Sequence, residues 1–237
     1  MNIEGSIALV TGANRGLGAA LCRALLDQGA AKVYAGARDP NSVQTPGVVP
    51  IKLDITSASD VAAAASLCGD VTLLVNNAGI SNSTAVLSID GIDGGRREFD
   101  TNVFGTLEMS RAFAPVLSAN GGGAIVNVLS VLSWITMPAT AYYCASKAAA
   151  WSFTNALRLE LLGQGTQVVA LHVGLMDTDM TAGLNAPKSS PHDVAAQTLA
   201  GVQAGALEVL ADDVSRTVRS ALGAELSALY PALGQAR

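Results

Sequence analysis

The stretch Ile7-Ala8-Leu9-Val10-Thr11-Gly12-Ala13-Asn14-Arg15-Gly16-Leu17-Gly18 passes from four apolar residues straight into a glycine-rich turn. An Ala- and Leu-rich segment with helical periodicity follows to about Gln28, and Gly29 stops it. The order is strand, glycine loop, helix, and that setting makes the glycines informative. A helix N-terminus offers unpaired N–H groups and the positive end of its dipole. Small residues let a pyrophosphate approach the backbone there. Gly12, Asn14, Arg15, Gly16, Leu17 and Gly18 are therefore candidate dinucleotide-binding residues.

Outward from this unit the same alternation recurs. Residues 32–36, 48–53, 71–75, 124–129, 166–173 and 207–210 read as further strands. Helical patterns lie between them, one opened by Ser57 as N-cap and others over 96–119, 141–162, 191–204 and 212–229. Alternating strands and helices predict an α/β fold of Rossmann type. That is a doubly wound, mostly parallel seven-stranded sheet with helices on both faces. Residues 1–237 are expected to form one domain, with a glycine loop at 11–18, a catalytic segment at 126–147 and a substrate loop at about 174–190.

Composition narrows the function. The chain is half hydrophobic, 14% charged and carries a net charge of −5. No basic stripe exists to neutralise phosphates, so nucleic acid is not an expected partner. Residues 112–146 carry no charge, but Asn120, Gly121-Gly122-Gly123, Asn127 and Pro138 interrupt them too often for a membrane span. The start lacks a basic n-region, and a cytoplasmic location is expected. Cys22, Cys68 and Cys144 lack metal-type spacing and read as reduced core thiols. No metal site is expected, and His172 and His192 read as structural.

The chemistry-bearing residues fall at the C-terminal ends of strands, where open α/β sheets bind ligands. After the second strand stands Arg38, and with Arg15 it suits a 2′-phosphate. Asp39 keeps a 2′-hydroxyl open as the lesser reading, and the bland alternative is that both arginines are solvated surface residues. Asp54 and Ile55 follow the third strand, and Asn76-Asn77-Ala78-Gly79 follows the fourth. Ser130 ends the fifth. Tyr143 and Lys147 then stand four apart in a helix-forming sequence, so both side chains leave one face. An ammonium beside a phenol favours the phenolate and is expected to lower its pKa. With the Ser130 hydroxyl to orient a carbonyl, this is chemistry for moving a proton on or off an alcohol oxygen. Asn102 lies amid the helical pattern of 96–119; it is either exposed or an interruption of the backbone ladder.

These motifs, in this order and spacing, resemble the short-chain dehydrogenase/reductase family over nearly the whole chain. The matches are Thr11-Gly12-x-x-x-Gly16-x-Gly18, Asp54, Asn76 to Gly79, Asn102, Ser130 and Tyr143-x-x-x-Lys147. The resemblance implies a fold binding NADP(H) or NAD(H), with the basic pair resembling NADP-preferring members. It implies Tyr143 as general acid or base, Lys147 as ribose holder, Ser130 on the carbonyl, and Asn102 behind a proton relay. It places Asp54 by the adenine, Asn76, Ala78 and Gly79 on the adenosine side of the cofactor and Thr178 near the carboxamide, with Ile55, Gly174 and Met176 as further cofactor-binding residues. Leu132, Trp134, Met137, Tyr142, Leu175, Met180 and Leu184 are expected to line a pocket for a neutral, apolar carbonyl or alcohol substrate. A homodimer or homotetramer is expected. Two departures stand out: Val173-Gly174 replaces the usual Pro-Gly, and the Asp-Gly-Gly ending of many tetrameric members is missing. NAD-dependent alcohol oxidation and a non-catalytic dinucleotide sensor are the alternatives.

Overall fold

Strands that are apolar on both faces must be covered on both, and burial follows that rule in the computed structural model, which describes residues 1–89 and 91–234. In chain order the elements are β1 (Ile7–Thr11), α1 (Gly16–Asp27), β2 (Lys32–Ala37), β3 (Val49–Lys52), α2 (Ala58–Leu67) and β4 (Leu73–Asn76). Then come α3 (Gly91–Phe99), α4 (Thr106–Ala119), β5 (Gly123–Val128), α5 (Ala141–Glu160), β6 (Thr166–His172), α6 (Pro191–Gln203), β7 (Glu208–Leu210) and α7 (Asp213–Ala221). The seven strands form one sheet in the order β3-β2-β1-β4-β5-β6-β7. Every neighbouring pair is parallel, so the sheet is fully rather than mostly parallel. The strand order reverses between β1 and β4, and the ligand crevice of such sheets opens there.

Two apolar layers sandwich the sheet. On one face Leu17, Leu21 and Leu25 of α1 and Val194 and Leu199 of α6 pack on Val10, Val75 and Val169. On the other, Val61 of α2 and Met109, Phe113 and Leu117 of α4 pack on Leu9, Leu74 and Ile125. The Ser57 side chain caps α2 by accepting from the Asp60 N–H, as its sequence position predicts. Cys22, Cys68 and Cys144 are free and buried, and burial pushes the Cys22 and Cys68 thiols up to about 12. Among the described residues no helix is long and apolar enough to cross a membrane.

The helix expected over 96–119 differs in two ways. It starts earlier, at Gly91, because glycines let Tyr142 lie against α3. A Cβ on Gly95 would sit 2.3 Å from the Tyr142 ring. It is also broken by a π-helical stretch, Asp100–Gly105, that contains Asn102. Asn102 is 2% exposed, which leaves the interrupted ladder as the correct alternative.

Candidate active site

The glycine loop is fixed from the neighbouring strand. Asn77 at the end of β4 donates its Nδ2 to the carbonyls of Thr11 (2.8 Å) and Gly12 (3.1 Å). The Thr11 hydroxyl accepts the N–H groups of Asn77 and Ala78. Gly12 and Gly16 have φ of +62° and +53°, which L side chains rarely adopt. A Cβ on Gly18 would fall 2.2 Å from the Gly12 carbonyl oxygen, so this corner accepts only glycine without moving backbone. Arg15 occupies the N-cap of α1 with no side-chain cap and no acid in the first turn. Its N–H groups are left for an anion, and the cradle fits a pyrophosphate. The Leu17 side chain is core, which leaves only its backbone to serve a bound anion.

Around this cradle the expected cofactor residues separate. Thr178 lies over Gly16, where a Cβ would meet its Cγ2 at 3.2 Å. Arg15 reaches across to the same loop and pairs with Asp179 at 2.7 Å. Arg38 is exposed and has no ion pair among the described residues. Asp39 accepts the Asn41 N–H and so caps the turn that follows. Asp54 accepts the N–H and hydroxyl of Thr56, while Ile55 is buried in the core beside Gly105. The Asn76 side chain is engaged inside the fold. It is 4% exposed and donates to Ser110 (3.0 Å) and Asn127 (2.9 Å) between the sheet and α4. Gly79 packs beside the Asn102 Oδ1 and Lys147 Nζ.

Ser130, Asn102, Tyr143 and Lys147 gather at the rim beyond β5. Ser130 starts a short turn, its hydroxyl accepting from Leu132 N–H (3.1 Å) and reaching the Val173 carbonyl (3.4 Å). The Lys147 ammonium donates to the Val128 carbonyl at 2.7 Å and lies 5.7 Å from the centre of the Tyr143 ring. Burial pushes Tyr143 up to about 12, partly offset by the Ser130 hydroxyl beside it, and pushes Lys147 down to about 8. The phenol is thus raised where a lowering by Lys147 was expected, and desolvation is the largest cause. Asn102 exchanges two hydrogen bonds with the Ile80 backbone, both 2.9 Å, and donates to Ser146.

Two side chains missed in the sequence support this rim. Glu98, one helical turn before Asn102 and fully buried, accepts the Asn82 N–H, and burial raises its pKa. Together they grip alternate N–H groups of the segment after β4. The i, i+4 spacing on a helix matches i, i+2 on an extended chain. His172, also fully buried, touches the Ser130 carbonyl. Neither position belongs to a local motif, and only the packed fold brings them to the site.

The expected substrate pocket is only partly assembled. Met137, Leu175, Met180 and Leu184 are exposed apolar residues around the rim, and Leu132 is half-buried at the Ser130 turn. Met176 packs against the core, and its carbonyl accepts the Thr181 hydroxyl. Gly174 donates its N–H to Asp212. Trp134 and Tyr142 depart from the expectation. Trp134 stacks on His172 and meets Trp151 edge-on, behind the Ser130 turn. Tyr142 is committed to α3 and directs its hydroxyl to the Val86 carbonyl.

A parallel sheet with this order, a glycine cradle at its switch point and a Tyr/Lys pair beside Ser define a dinucleotide-fold oxidoreductase. The short chain dehydrogenase family model matches residues 6–189. The chain belongs to the short-chain dehydrogenase/reductase family. It is 31% identical over 216 residues to a 3-oxoacyl-(acyl-carrier-protein) reductase of Vibrio harveyi, covering 87% of this chain and 86% of that one. A short chain dehydrogenase of Burkholderia cenocepacia in complex with NADP superposes with a TM-score of 0.93 at 43% identity, covering 98% of this chain and 99% of the other. A 3-ketoacyl-(acyl-carrier-protein) reductase of Brucella melitensis complexed with NADH gives 0.80 at 29% identity, covering 87% and 97%.

Proposed function

We propose that this protein is an NADP(H)-preferring carbonyl reductase acting on a neutral, fairly apolar ketone or aldehyde. The observation that carries the reading is the convergence of the Tyr143 phenol, the Ser130 hydroxyl and the Lys147 ammonium on one rim of the sheet. A phenol held near 12 is protonated at neutral pH, the form that donates a proton to a forming alkoxide. Ser130 orients the carbonyl oxygen toward it. Lys147, its pKa lowered to about 8, is poised to restore the proton. The nicotinamide cofactor supplies the hydride when bound. Gly12, Asn14, Arg15, Gly16 and Gly18 would hold its pyrophosphate, and Thr178 and Ala78 flank that cradle.

Arg38 supports the NADP preference. Among the described residues its guanidinium has no ion pair, whereas the Asp39 carboxylate is already engaged in its own turn. The NADP complex of the Burkholderia relative agrees with this choice, and the NADH complex of the Brucella protein keeps NAD(H) within reach. The apolar rim formed by Leu132, Met137, Leu175, Met180 and Leu184 supports a neutral substrate. Exposed Phe104, Phe153 and Leu159 support pairing with a second copy.

The test is NADPH consumption by purified protein against neutral aromatic and aliphatic ketones and aldehydes, with Tyr143→Phe in parallel. Turnover in the wild type and its near-loss in the variant support the reading. NADPH binding without turnover of any compound points to a sensor, and activity confined to charged substrates overturns the pocket assignment.

A further inference from the structure

We propose that His172 is a positioning residue for the reaction, fixing Ser130 from behind through its main-chain carbonyl. The inference rests on the reading of Ser130 as the hydroxyl that orients the substrate carbonyl. His172 ends β6, beside the end of β5 that leads into Ser130. Its Nδ1 lies 3.0 Å from the Ser130 carbonyl oxygen. A carbonyl only accepts, so Nδ1 carries the ring proton. The same oxygen accepts the Ser133 N–H at 3.0 Å, so both of its lone pairs are used. Two donors on one oxygen fix the peptide plane that follows Ser130. The Leu132 N–H, donated to Oγ from within the same turn, then aims the hydroxyl.

The rest of the imidazole is held by packing. His172 is fully buried, and its Nε2 is buried without a partner among the described residues. A second proton would leave a buried, unpaired N–H on a cationic ring, so the neutral Nδ1–H tautomer is the form the fold accepts. Trp134 stacks on the ring at 3.8 Å with planes 19° apart, and Arg219 of α7 lies over Trp134 at 5.7 Å. Residues beyond β7 brace the same turn and the substrate loop. The Tyr230 hydroxyl accepts the Thr136 N–H at 2.9 Å, and Asp212 accepts the Gly174 N–H at 2.6 Å. The C-terminal segment thereby supports Ser130 through Trp134 and His172, and holds the loop at Gly174.

Asn places an N–H close to the position of Nδ1, whereas Gln places one near Nε2 and Phe supplies none. His172→Asn is expected to keep kcat within about threefold of wild type. His172→Gln and His172→Phe are expected to lose about tenfold or more in kcat, with KM and NADPH affinity within about twofold. In a Ser130→Ala background the Phe substitution should cost almost nothing further, since its effect runs through Ser130. Wild-type kcat in His172→Phe, equal rescue by Asn and Gln, or an undiminished loss in the Ser130→Ala background would each overturn the proposal. If the Phe variant does not fold, the Asn–Gln comparison decides. A 15N spectrum of the wild-type imidazole decides independently of turnover: Nδ1–H supports the proposal and Nε2–H sinks it. Absence of wild-type turnover on the whole panel would defeat the reductase reading, while the tautomer would still answer for His172.

Discussion

Tyr143 and Lys147 share one face of α5, yet burial moves them in opposite directions, the phenol up to about 12 and the ammonium down to about 8. Both shifts favour the neutral form, as desolvation must. In the proposed reaction, carbonyl reduction would use the protonated phenol and is expected to be fast near neutral pH. Alcohol oxidation would use the phenolate and should rise steadily from pH 7 to 10; a flat initial-rate profile for oxidation would argue against Tyr143 as the base. The four-residue spacing is legible in the sequence because a helix fixes it locally. The direction of the phenol shift is not, because it depends on what packs around the ring. His172 makes the same point. Burial holds its pKa at about 4, with Lys147 and Arg219 lowering it further and the Ser130 carbonyl and Glu208 opposing them. The unfolded chain therefore binds the extra proton first as pH falls. The stabilisation from the neutral ring is complete above about pH 6.5 and disappears by about pH 4, a change of up to roughly 3 kcal/mol. Urea unfolding at pH 7 and pH 5 should show this loss, and His172→Asn should flatten it.

At the level of elements, glycine has two different jobs here, and only one is readable in advance. In the loop before α1, glycines between strand and helix announce an anion site. Gly18→Ala would drive a Cβ to 2.2 Å from the Gly12 carbonyl. The expected cost is about 3 kcal/mol, together with loss of NADPH affinity, because backbone cannot yield as a side chain can. Thermal melts with and without NADPH check both effects. In α3, Gly91, Gly94 and Gly95 argue against a helix on propensity alone, by about 1 kcal/mol each. The helix forms because Gly91 and Gly95 admit the Tyr142 ring, while Gly94 lies against Thr84. Gly95→Ala gains helix propensity but places a Cβ 2.3 Å from that ring, so it should destabilise by about 1–3 kcal/mol. Gly95→Ala combined with Tyr142→Leu should recover most of the loss; equal stability of wild type and Gly95→Ala would show that Tyr142 is not held there. The π stretch at Asn102 was legible only as an oddity, since a polar residue inside a helix signals an interruption without giving its form.

Over the whole molecule, the sheet order brings the ends of β1, β2, β4, β5 and β6 to one rim, and this is the part the sequence shows best. Buried strands alternating with helices leave one chirality of crossover and therefore only a handful of architectures. Long-range partners that no spacing encodes remained hidden: Arg15 is 164 residues from Asp179, and Ser130 is 42 from His172. The rim also makes cofactor choice measurable as global stability. A ligand that binds only the folded chain stabilises it by about 2.7 kcal/mol at a hundred times its Kd. Arg38 stands at the end of β2, exposed and without an ion pair among the described residues, so it can meet a 2′-phosphate without breaking a bond in the fold. Arg15 must share its guanidinium with Asp179. Removing Arg38 should therefore be the more selective change. In Arg38→Ala, NADPH affinity is expected to fall by about 10–100-fold, the worth of one charge-assisted contact, while NADH affinity stays within about twofold. At equal cofactor concentrations the NADPH-induced rise in Tm should shrink toward that given by NADH. A rise that survives Arg38→Ala but collapses in Arg15→Ala would move the phosphate contact to the glycine loop. Parallel losses for both cofactors would mean that Arg38 reads something other than the 2′ position.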